Sequence, residues 1–105
     1  MNDCIFCKII DRNSPANIVY ENQNMLIIHD INPQADVHLL IMPKMHIATM
    51  FEINDDHESL IGKMIVKATE LAKEFNFSGY KLLINTGKTG GQIVFHIHIH
   101  LLGYY

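Results

Sequence analysis

Apolar and polar residues alternate along the chain in patterns that predict several short strands. Apolar or alternating runs predict strands at residues 18–20, 25–29, 37–42, 80–84 and 94–102. Polar residues 21–24 suit a turn between the first two strands, and Pro33 and Pro43 interrupt the chain on either side of the third. The run at 37–42 is almost entirely apolar, which is typical of a strand buried on both faces.

One segment has a clear helical pattern. Asn54, Asp55 and Asp56 offer the oxygens and negative charge that favour a helix N-terminus. Apolar residues then recur at three- and four-residue steps as far as Phe75, and Gly79 follows. We therefore predict an amphipathic helix over residues 55–75. About five strands close together in sequence and one long helix predict an α+β domain, in which the helix packs on one face of a mostly antiparallel sheet.

Length, composition and charge narrow the classes of protein. The 105 residues suit one domain, 1–105, and hydrophobic residues make up 49%. Charged residues make up only 18%, and a subunit interface is one use for the apolar surface that remains. A net charge of −3 without a Lys/Arg block does not indicate nucleic-acid binding. The chain shows neither a secretory signal nor an apolar run of membrane-spanning length, so we expect a cytoplasmic protein without a membrane partner.

Three of the seven histidines lie close together near the end of the chain. His96, His98 and His100 alternate with two isoleucines, so a strand here would place the three imidazoles on one side. A solvated polar face, a metal site and catalysis by imidazole all use such a row. Histidine is a poor generic choice for a solvated face, and the outer pair lies too far apart for one tetrahedral metal to bind all three. We therefore favour catalysis.

A glycine-rich loop precedes the histidines. Gly87, Gly90 and Gly91 allow backbone amides to approach an anion closely. Such a loop alone is a weak indication, but beside three histidines it predicts a phosphate site next to a nucleophile.

The segment 85–102, from this loop through His-Ile-His-Ile-His-Leu-Leu, resembles the signature of the histidine triad family. The upstream segments 4–10, 29–33 and 38–44 are similar to the Hint-like, nucleotide-binding branch of that family, so the resemblance covers nearly the whole chain. It implies a homodimeric nucleotidyl hydrolase or transferase. Its substrates would be purine nucleoside phosphoramidates or related nucleotidyl compounds.

The resemblance also implies roles for individual residues. His98 would attack the α-phosphorus and form a nucleotidyl-histidine that water hydrolyses. His100 and His38 would flank the phosphate and stabilise its developing charge, and His96 completes the catalytic histidines unless a metal binds it. Asp30 would hold the ribose hydroxyls. The implied nucleotide-binding residues are His29, Asp30, Ile31, Asn85, Gly91 and Gln92.

One position departs from many relatives, which have Ser or Thr after the glutamine. Ile93 stands there and offers no side-chain donor. We expect some loss of catalytic efficiency or a different preference for the leaving group.

Cys4 and Cys7, the two cysteines of the chain, have the spacing of zinc ligands. The resemblance implies that His46 and His96 complete a structural zinc site with them. Two buried thiols and a redox pair are the alternatives.

Other functions stay open beside the favoured enzyme. A nucleotide-binding regulatory module with weak or vestigial catalysis is one, and Ile93 is its best support. Dinucleoside polyphosphate hydrolysis is a second, and a zinc protein that acts through partner binding is a third.

Overall fold

The computed structural model describes residues 3–105. Its strands are β1 (Ile18–Glu21), β2 (Met25–His29), β3 (Val37–Pro43), β4 (Gly79–Leu83) and β5 (Ile99–Tyr104). They form one antiparallel sheet in the order β1-β2-β3-β5-β4. Helix α1 (Ile5–Ile10) precedes the sheet, and helix α2 (Glu58–Glu74) connects β3 to β4. The predicted α+β architecture with its long helix is confirmed. No helix within residues 3–105 is long and apolar enough to cross a membrane.

Helix α2 covers one face of the sheet. Its residues Met64, Ala68 and Leu71 are buried against alternate residues of the strands. The strand residues in this cluster are Met25, Ile27, Leu39, Ile41, Ile99 and Leu101. Because side chains alternate across a strand, the residues between them point to the opposite face. The burial of β3 on both faces follows from this two-sided packing and confirms the expectation from its apolar run.

Helix α1 covers part of that opposite face. Its Phe6 and Ile9 are buried together with Leu26, Ile28, Leu40 and Met42 of β2 and β3. The helix was not predicted from the sequence. Phe6, Ile9 and Ile10 have the three- and four-residue spacing of a helical face, but a segment of six residues is too short for that spacing to decide. The site described below lies on this α1 side of the sheet.

The start of the long helix differs slightly from the prediction. Residues Asp55–His57 form a 3₁₀ turn, and α2 itself begins at Glu58. The Asn54 side chain caps the turn by accepting a hydrogen bond from the Asp56 amide at 2.8 Å. A second 3₁₀ turn, Met50–Glu52, lies between β3 and this cap.

The last strand begins later than predicted, at Ile99 instead of residue 94. The residues before it bond outside the strand ladder, because the Ile97 amide donates to the Ile47 carbonyl at 2.8 Å. The His96 Nε2–H donates to the Pro43 carbonyl at 2.7 Å. His100 is therefore the one member of the triad within β5, and the prediction that all three histidines lie on one strand is wrong.

Candidate active site

A cavity of about 430 Å³ opens on the α1 side of the sheet, within the size range of small-molecule sites. Side chains of α1 (Ile5, Phe6 and Ile9) form one apolar wall, and Ile28 and Leu40 extend it along the sheet. The polar part of the lining comes from the end of β2, from the glycine-rich loop and from two histidines. Its residues are His29, Asp30, Asn32, Asn85, His98 and His100. The cavity can therefore hold an apolar ring at one end and a polar group at the other.

His98 is buried and lines this cavity. Its Nδ1 lies 2.7 Å from the carbonyl oxygen of His96. A carbonyl only accepts, so Nδ1 carries the proton and Nε2 keeps a free lone pair. Burial lowers the pKa of His98, although the hydrogen bond to His96 and the charge of Asp30 oppose that effect. The ring is thus neutral near pH 7, in the tautomer that a nucleophile requires.

His38 and His100 form a hydrogen-bonded pair beside His98. Leu40 of β3 pairs with His100 of β5, so His38 and His100 point to the same face of the sheet. The Gln34 amide donates to Nδ1 of His38 at 3.1 Å, which leaves the proton of a neutral His38 on Nε2. That Nε2 lies 2.8 Å from Nδ1 of His100, so His38 donates to His100. Neutral His100 then carries its own proton on Nε2, as a donor at the cavity.

Burial also controls the charge of this pair. It lowers the pKa of His38, which is only 4% exposed. It lowers the pKa of His100 to about 4, and the neighbouring His98 and His38 contribute to that shift. Both rings are therefore neutral hydrogen-bond donors at pH 7.

Asp30 stands next to the histidine pair as well as in the cavity lining. Its Oδ2 is 3.5 Å from Nε2 of His38, and its Oδ1 accepts from the Asn32 amide at 2.8 Å. Ligand atoms of Asp30, His38 and His100 all lie within 4.8 Å of one another. The carboxylate can therefore stabilise a positive charge that appears on the pair during a reaction.

The glycine-rich loop is held in shape by Gln92, which does not itself line the cavity. The Gln92 side chain is buried, accepts from the Gly87 amide at 2.9 Å and donates to the Ala48 carbonyl at 2.7 Å. Gly91 adopts a φ of +93°, a conformation that favours glycine. A Cβ at Gly90 would lie 2.2 Å from the Thr86 carbonyl oxygen. Asn85 and Gly91 consequently meet the cavity on a loop of fixed shape.

Four side chains predicted as metal ligands come together at the start of α1. Ligand atoms of Cys4, Cys7, His46 and His96 lie within 4.8 Å of one another. Nδ1 of His46 is 3.2 Å from the Cys7 sulfur, and Nδ1 of His96 is 3.5 Å from the Cys4 sulfur. Since Nε2 of His96 donates to the Pro43 carbonyl, its Nδ1 offers a lone pair toward the thiols. Two sulfurs and two imidazole nitrogens in this arrangement fit a tetrahedral zinc ion.

The thiol chemistry agrees with that fit. Burial raises the pKa of Cys7 to about 11, and the neighbouring Cys4 contributes to the shift. A metal-free Cys7 is thus a neutral thiol, and a bound zinc ion would release its proton.

The structure brings most of the predicted site residues to one place. His29, Asp30, Ile31, Asn85, Gly91, His98 and His100 line the same cavity. His38 reaches it through His100, whereas His96 turns toward the cysteines and Gln92 toward the loop. The apolar wall from α1 was missed, as was the Gln34 amide that sets the His38 tautomer. The spacing of the apolar residues in α1 is the one sequence feature that points to that wall.

Comparison with known proteins agrees with this geometry. Residues 3–104 match the family described as scavenger mRNA decapping enzyme C-term binding. The chain is 49% identical over 104 residues to protein HitA of Neisseria gonorrhoeae, which covers 98% of this chain and 97% of that protein. It is 43% identical over 103 residues to the purine nucleoside phosphoramidase of Escherichia coli strain K12. That match covers 96% of this chain and 87% of the relative.

Solved structures show the same fold. A HIT family hydrolase from Legionella pneumophila Philadelphia 1 superposes with a TM-score of 0.94 at 48% identity, over 96% of this chain and 92% of that one. A Zn-bound histidine triad family protein from Mycobacterium smegmatis superposes with a TM-score of 0.87 at 31% identity, over 99% and 76%. These matches extend over nearly the whole chain and agree with its imidazole-lined cavity. The chain therefore belongs to the histidine triad family and is a hydrolase of that family.

Proposed function

We propose that this hydrolase cleaves purine nucleoside phosphoramidates, or related nucleotidyl compounds, through a covalent nucleotidyl-His98 intermediate. The observation that carries the proposal is the hydrogen bond from Nδ1 of His98 to the His96 carbonyl, which leaves Nε2 free at the cavity. The phosphoramidase activity named for the Escherichia coli relative supports the choice of substrate.

The reaction has two displacement steps. Nε2 of His98 forms a bond to the α-phosphorus while the bond from phosphorus to the amine nitrogen breaks. His100 donates from Nε2 to a phosphoryl oxygen, and His38 fixes its tautomer, so charge that develops there is stabilised. The amine leaves with a proton supplied by water in the open cavity, and the Asp30 carboxylate beside the His38–His100 pair stabilises positive charge there. Water then attacks the phosphorus while the bond from phosphorus to Nε2 of His98 breaks, and the proton that this water loses returns to solvent, so neutral His98 and the nucleotide are released.

The remaining predicted residues are proposed to hold the nucleotide. Asp30 has one oxygen fixed by the Asn32 amide, which suits it to accept from a ribose hydroxyl. His29 and Ile31 border the nucleoside, and Asn85 and Gly91 meet the phosphate from the loop. Gln92 contributes by holding that loop, because both ends of its amide bond within the protein. The apolar wall from α1 and the sheet is left for the base.

We infer that Cys4, Cys7, His46 and His96 bind a structural zinc ion. The closeness of their ligand atoms supports this inference, as does the zinc in the Mycobacterium smegmatis relative. A zinc ion bound by these four side chains would supply stability, not Lewis acidity, to the site. It also keeps His96 from acid–base chemistry. We propose that residues 1–105 form one catalytic domain, which contains both the nucleotide cavity and the zinc ligands.

We also propose that the protein is a homodimer. Strand β4 lies at the edge of the sheet, and all five of its residues are exposed. Tyr80, Leu82 and Leu83 present apolar surface along that edge, and an exposed apolar edge strand is a natural place for a second strand to pair.

A net charge of −3 and two free cysteines are consistent with a cytoplasmic protein that has no nucleic-acid or membrane partner.

Turnover of a fluorogenic adenosine phosphoramidate tests the proposed reaction. Wild type is expected to release the amine, and His98→Ala is expected to lose activity by a factor of about 10³ or more. His57→Ala is the matched control, since His57 lies in the 3₁₀ turn before α2 and outside the cavity lining. Tight nucleotide binding by a wild-type protein without turnover would support the regulatory module instead.

A further inference from the structure

We propose that α1 is a wall of the nucleotide cavity whose docking depends on the metal, and that its Phe6 is a positioning residue for His98. Metal occupancy would then control nucleotide affinity and the orientation of the nucleophile. The inference rests on the proposed function of His98 and on the proposed metal site, and it adds a physical coupling between the two.

The short helix carries metal ligands and cavity wall together. Cys4 caps it, since the Cys7 amide donates to the Cys4 sulfur at 3.4 Å, and Cys7 itself lies within the helix. Between and after these ligands, Ile5, Phe6 and Ile9 line the cavity. A helix of six residues is unstable by itself and needs tertiary contacts to persist. Whatever fixes the cysteines therefore also fixes the wall.

Phe6 touches a metal ligand and the nucleophile at once. Its ring is edge-on to His98, with centroids 5.0 Å apart and planes at 89°. The same ring is edge-on to His96, with centroids 5.8 Å apart and planes at 73°. Such aromatic pairs favour one relative orientation over others. Phe6 thus restrains the plane of the His98 ring. Within α1 it is the one aromatic residue that can do so.

A second connection passes through the backbone of His96. Its side chain offers Nδ1 to the metal and donates from Nε2 to the Pro43 carbonyl. Its carbonyl accepts the Nδ1–H of His98 and so selects the nucleophilic tautomer. Fixing the His96 side chain fixes the carbonyl that His98 depends on.

Without a metal, only hydrogen-bond contacts join the two cysteines of the α1 segment to His46 and His96. The sulfur–imidazole contacts are 3.2 Å from Cys7 to His46 and 3.5 Å from Cys4 to His96. Coordination bonds to zinc are far stronger than such hydrogen bonds. We therefore expect α1 to loosen when the metal is removed, so that the cavity loses its apolar wall and His98 its ring contact.

Calorimetric titration with AMP tests the coupling on the full chain. The samples are zinc-loaded wild type, chelated wild type, and the zinc-loaded variants Phe6→Ala and Phe6→Leu. Phe77→Leu is the matched control, because Phe77 packs in the cluster on the α2 side of the sheet. We expect the Kd for AMP to rise about tenfold on chelation and in Phe6→Ala, with partial recovery in Phe6→Leu. Phe77→Leu should bind AMP as wild type does.

The ring of His98 supplies a readout that a merely structural role would not move. In protein labelled with ¹⁵N-histidine, the Nδ1–H signal of His98 is assigned by its loss in His98→Ala. We expect it to exchange faster with water in zinc-loaded Phe6→Ala, although metal content and circular dichroism stay those of wild type.

Unchanged AMP affinity together with an unchanged His98 signal, in folded chelated protein or in Phe6→Ala, would overturn the proposal. If chelation unfolds the chain, His46→Ala, which removes one metal ligand outside the nucleotide cavity, replaces the chelated sample, and the zinc-loaded Phe6 variants decide the role of Phe6. A wild type that binds AMP but releases no amine would contradict the proposed function, while the AMP comparison still decides the coupling. If AMP does not bind at all, the His98 signal decides it.

Discussion

At the scale of single residues, backbone partners give chemically identical side chains different tasks. The His96 carbonyl leaves the lone pair on Nε2 of His98 free, whereas the Gln34 amide makes His38 a donor to His100. The sequence could indicate which histidines matter, because their spacing and the resemblance point to them. It could not indicate their tautomers, since a tautomer depends on backbone groups that only folding brings to the ring.

Ile93 stands where the resemblance to the histidine triad family implies Ser or Thr in many relatives. It lines the mouth of the cavity and is 89% exposed, so a polar side chain fits there without disturbing the core. We expect Ile93→Ser to raise kcat/KM for an amine leaving group, up to the roughly 10²-fold that one transition-state hydrogen bond supplies. Steady-state kinetics beside Ile18→Ser, a change at an exposed isoleucine of β1, measure the effect. An equal kcat/KM in Ile93→Ser and wild type would contradict it.

The depressed pKa of His100 predicts how stability depends on pH. His98, His38 and Asp30 face this ring, and burial with the two histidines brings its pKa to about 4. An unfolded chain would titrate this group near 6.5, so it binds more protons than the folded chain between those values. The free energy of unfolding should therefore fall as the pH decreases from 6.5 toward 4.

Urea unfolding of wild type and His100→Gln at equal zinc loading, at pH 7 and pH 4.5, measures this dependence. We expect the loss of stability at pH 4.5 to be smaller in His100→Gln. The same loss in both proteins would assign the pH dependence to other groups.

At the scale of elements, local sequence pattern determines some helices and strands, and tertiary contacts determine others. The apolar runs of β2 and β3 and the periodicity of α2 were sufficient to predict these elements nearly to the residue. The late start of β5 was beyond prediction, because it depends on the bond from the Ile97 amide to the Ile47 carbonyl, a long-range contact. The same is true of α1, whose six residues need tertiary contacts to persist as a helix.

Gly90 and Gly62 differ in whether the structure leaves room for a side chain. A Cβ at Gly90 would clash with the Thr86 backbone, whereas a Cβ at Gly62 in α2 meets nothing within 4 Å. Gly90→Ala should shift the loop, destabilise the protein by about 1–3 kcal/mol and weaken AMP binding. Gly62→Ala should stabilise it by about 1 kcal/mol through helix propensity and leave binding unchanged. Denaturant unfolding and AMP titration of both variants check the contrast, and equal behaviour would refute it.

At the scale of the whole molecule, the two faces of the sheet have separate tasks. The α2 face holds the larger core, and the α1 face holds the cluster of two cysteines and two histidines and the cavity. The resemblance was sufficient to predict which four Cys and His side chains the fold brings together, although they are far apart in sequence. Spacing alone could suggest only Cys4 and Cys7, because their histidine partners arrive from other elements.

The proposed dimer depends on the exposed edge at β4. Leu82→Lys combined with Leu83→Lys adds charge along that edge, and both residues are already exposed in the single chain. Light scattering after gel filtration should show a dimer for wild type and a monomer for the double variant. A wild type that is monomeric at micromolar to millimolar concentration would contradict the proposed dimer.

The most direct test of the central claim is mass spectrometry of the reacting enzyme. Wild type is mixed with adenosine phosphoramidate, quenched within the first turnover and digested under conditions that preserve phosphorus–nitrogen bonds. We expect an adenylyl group on the peptide that contains His98, localised to that residue and absent from His98→Ala. Full turnover without any adduct, together with activity retained in His98→Ala, would contradict nucleophilic catalysis by His98.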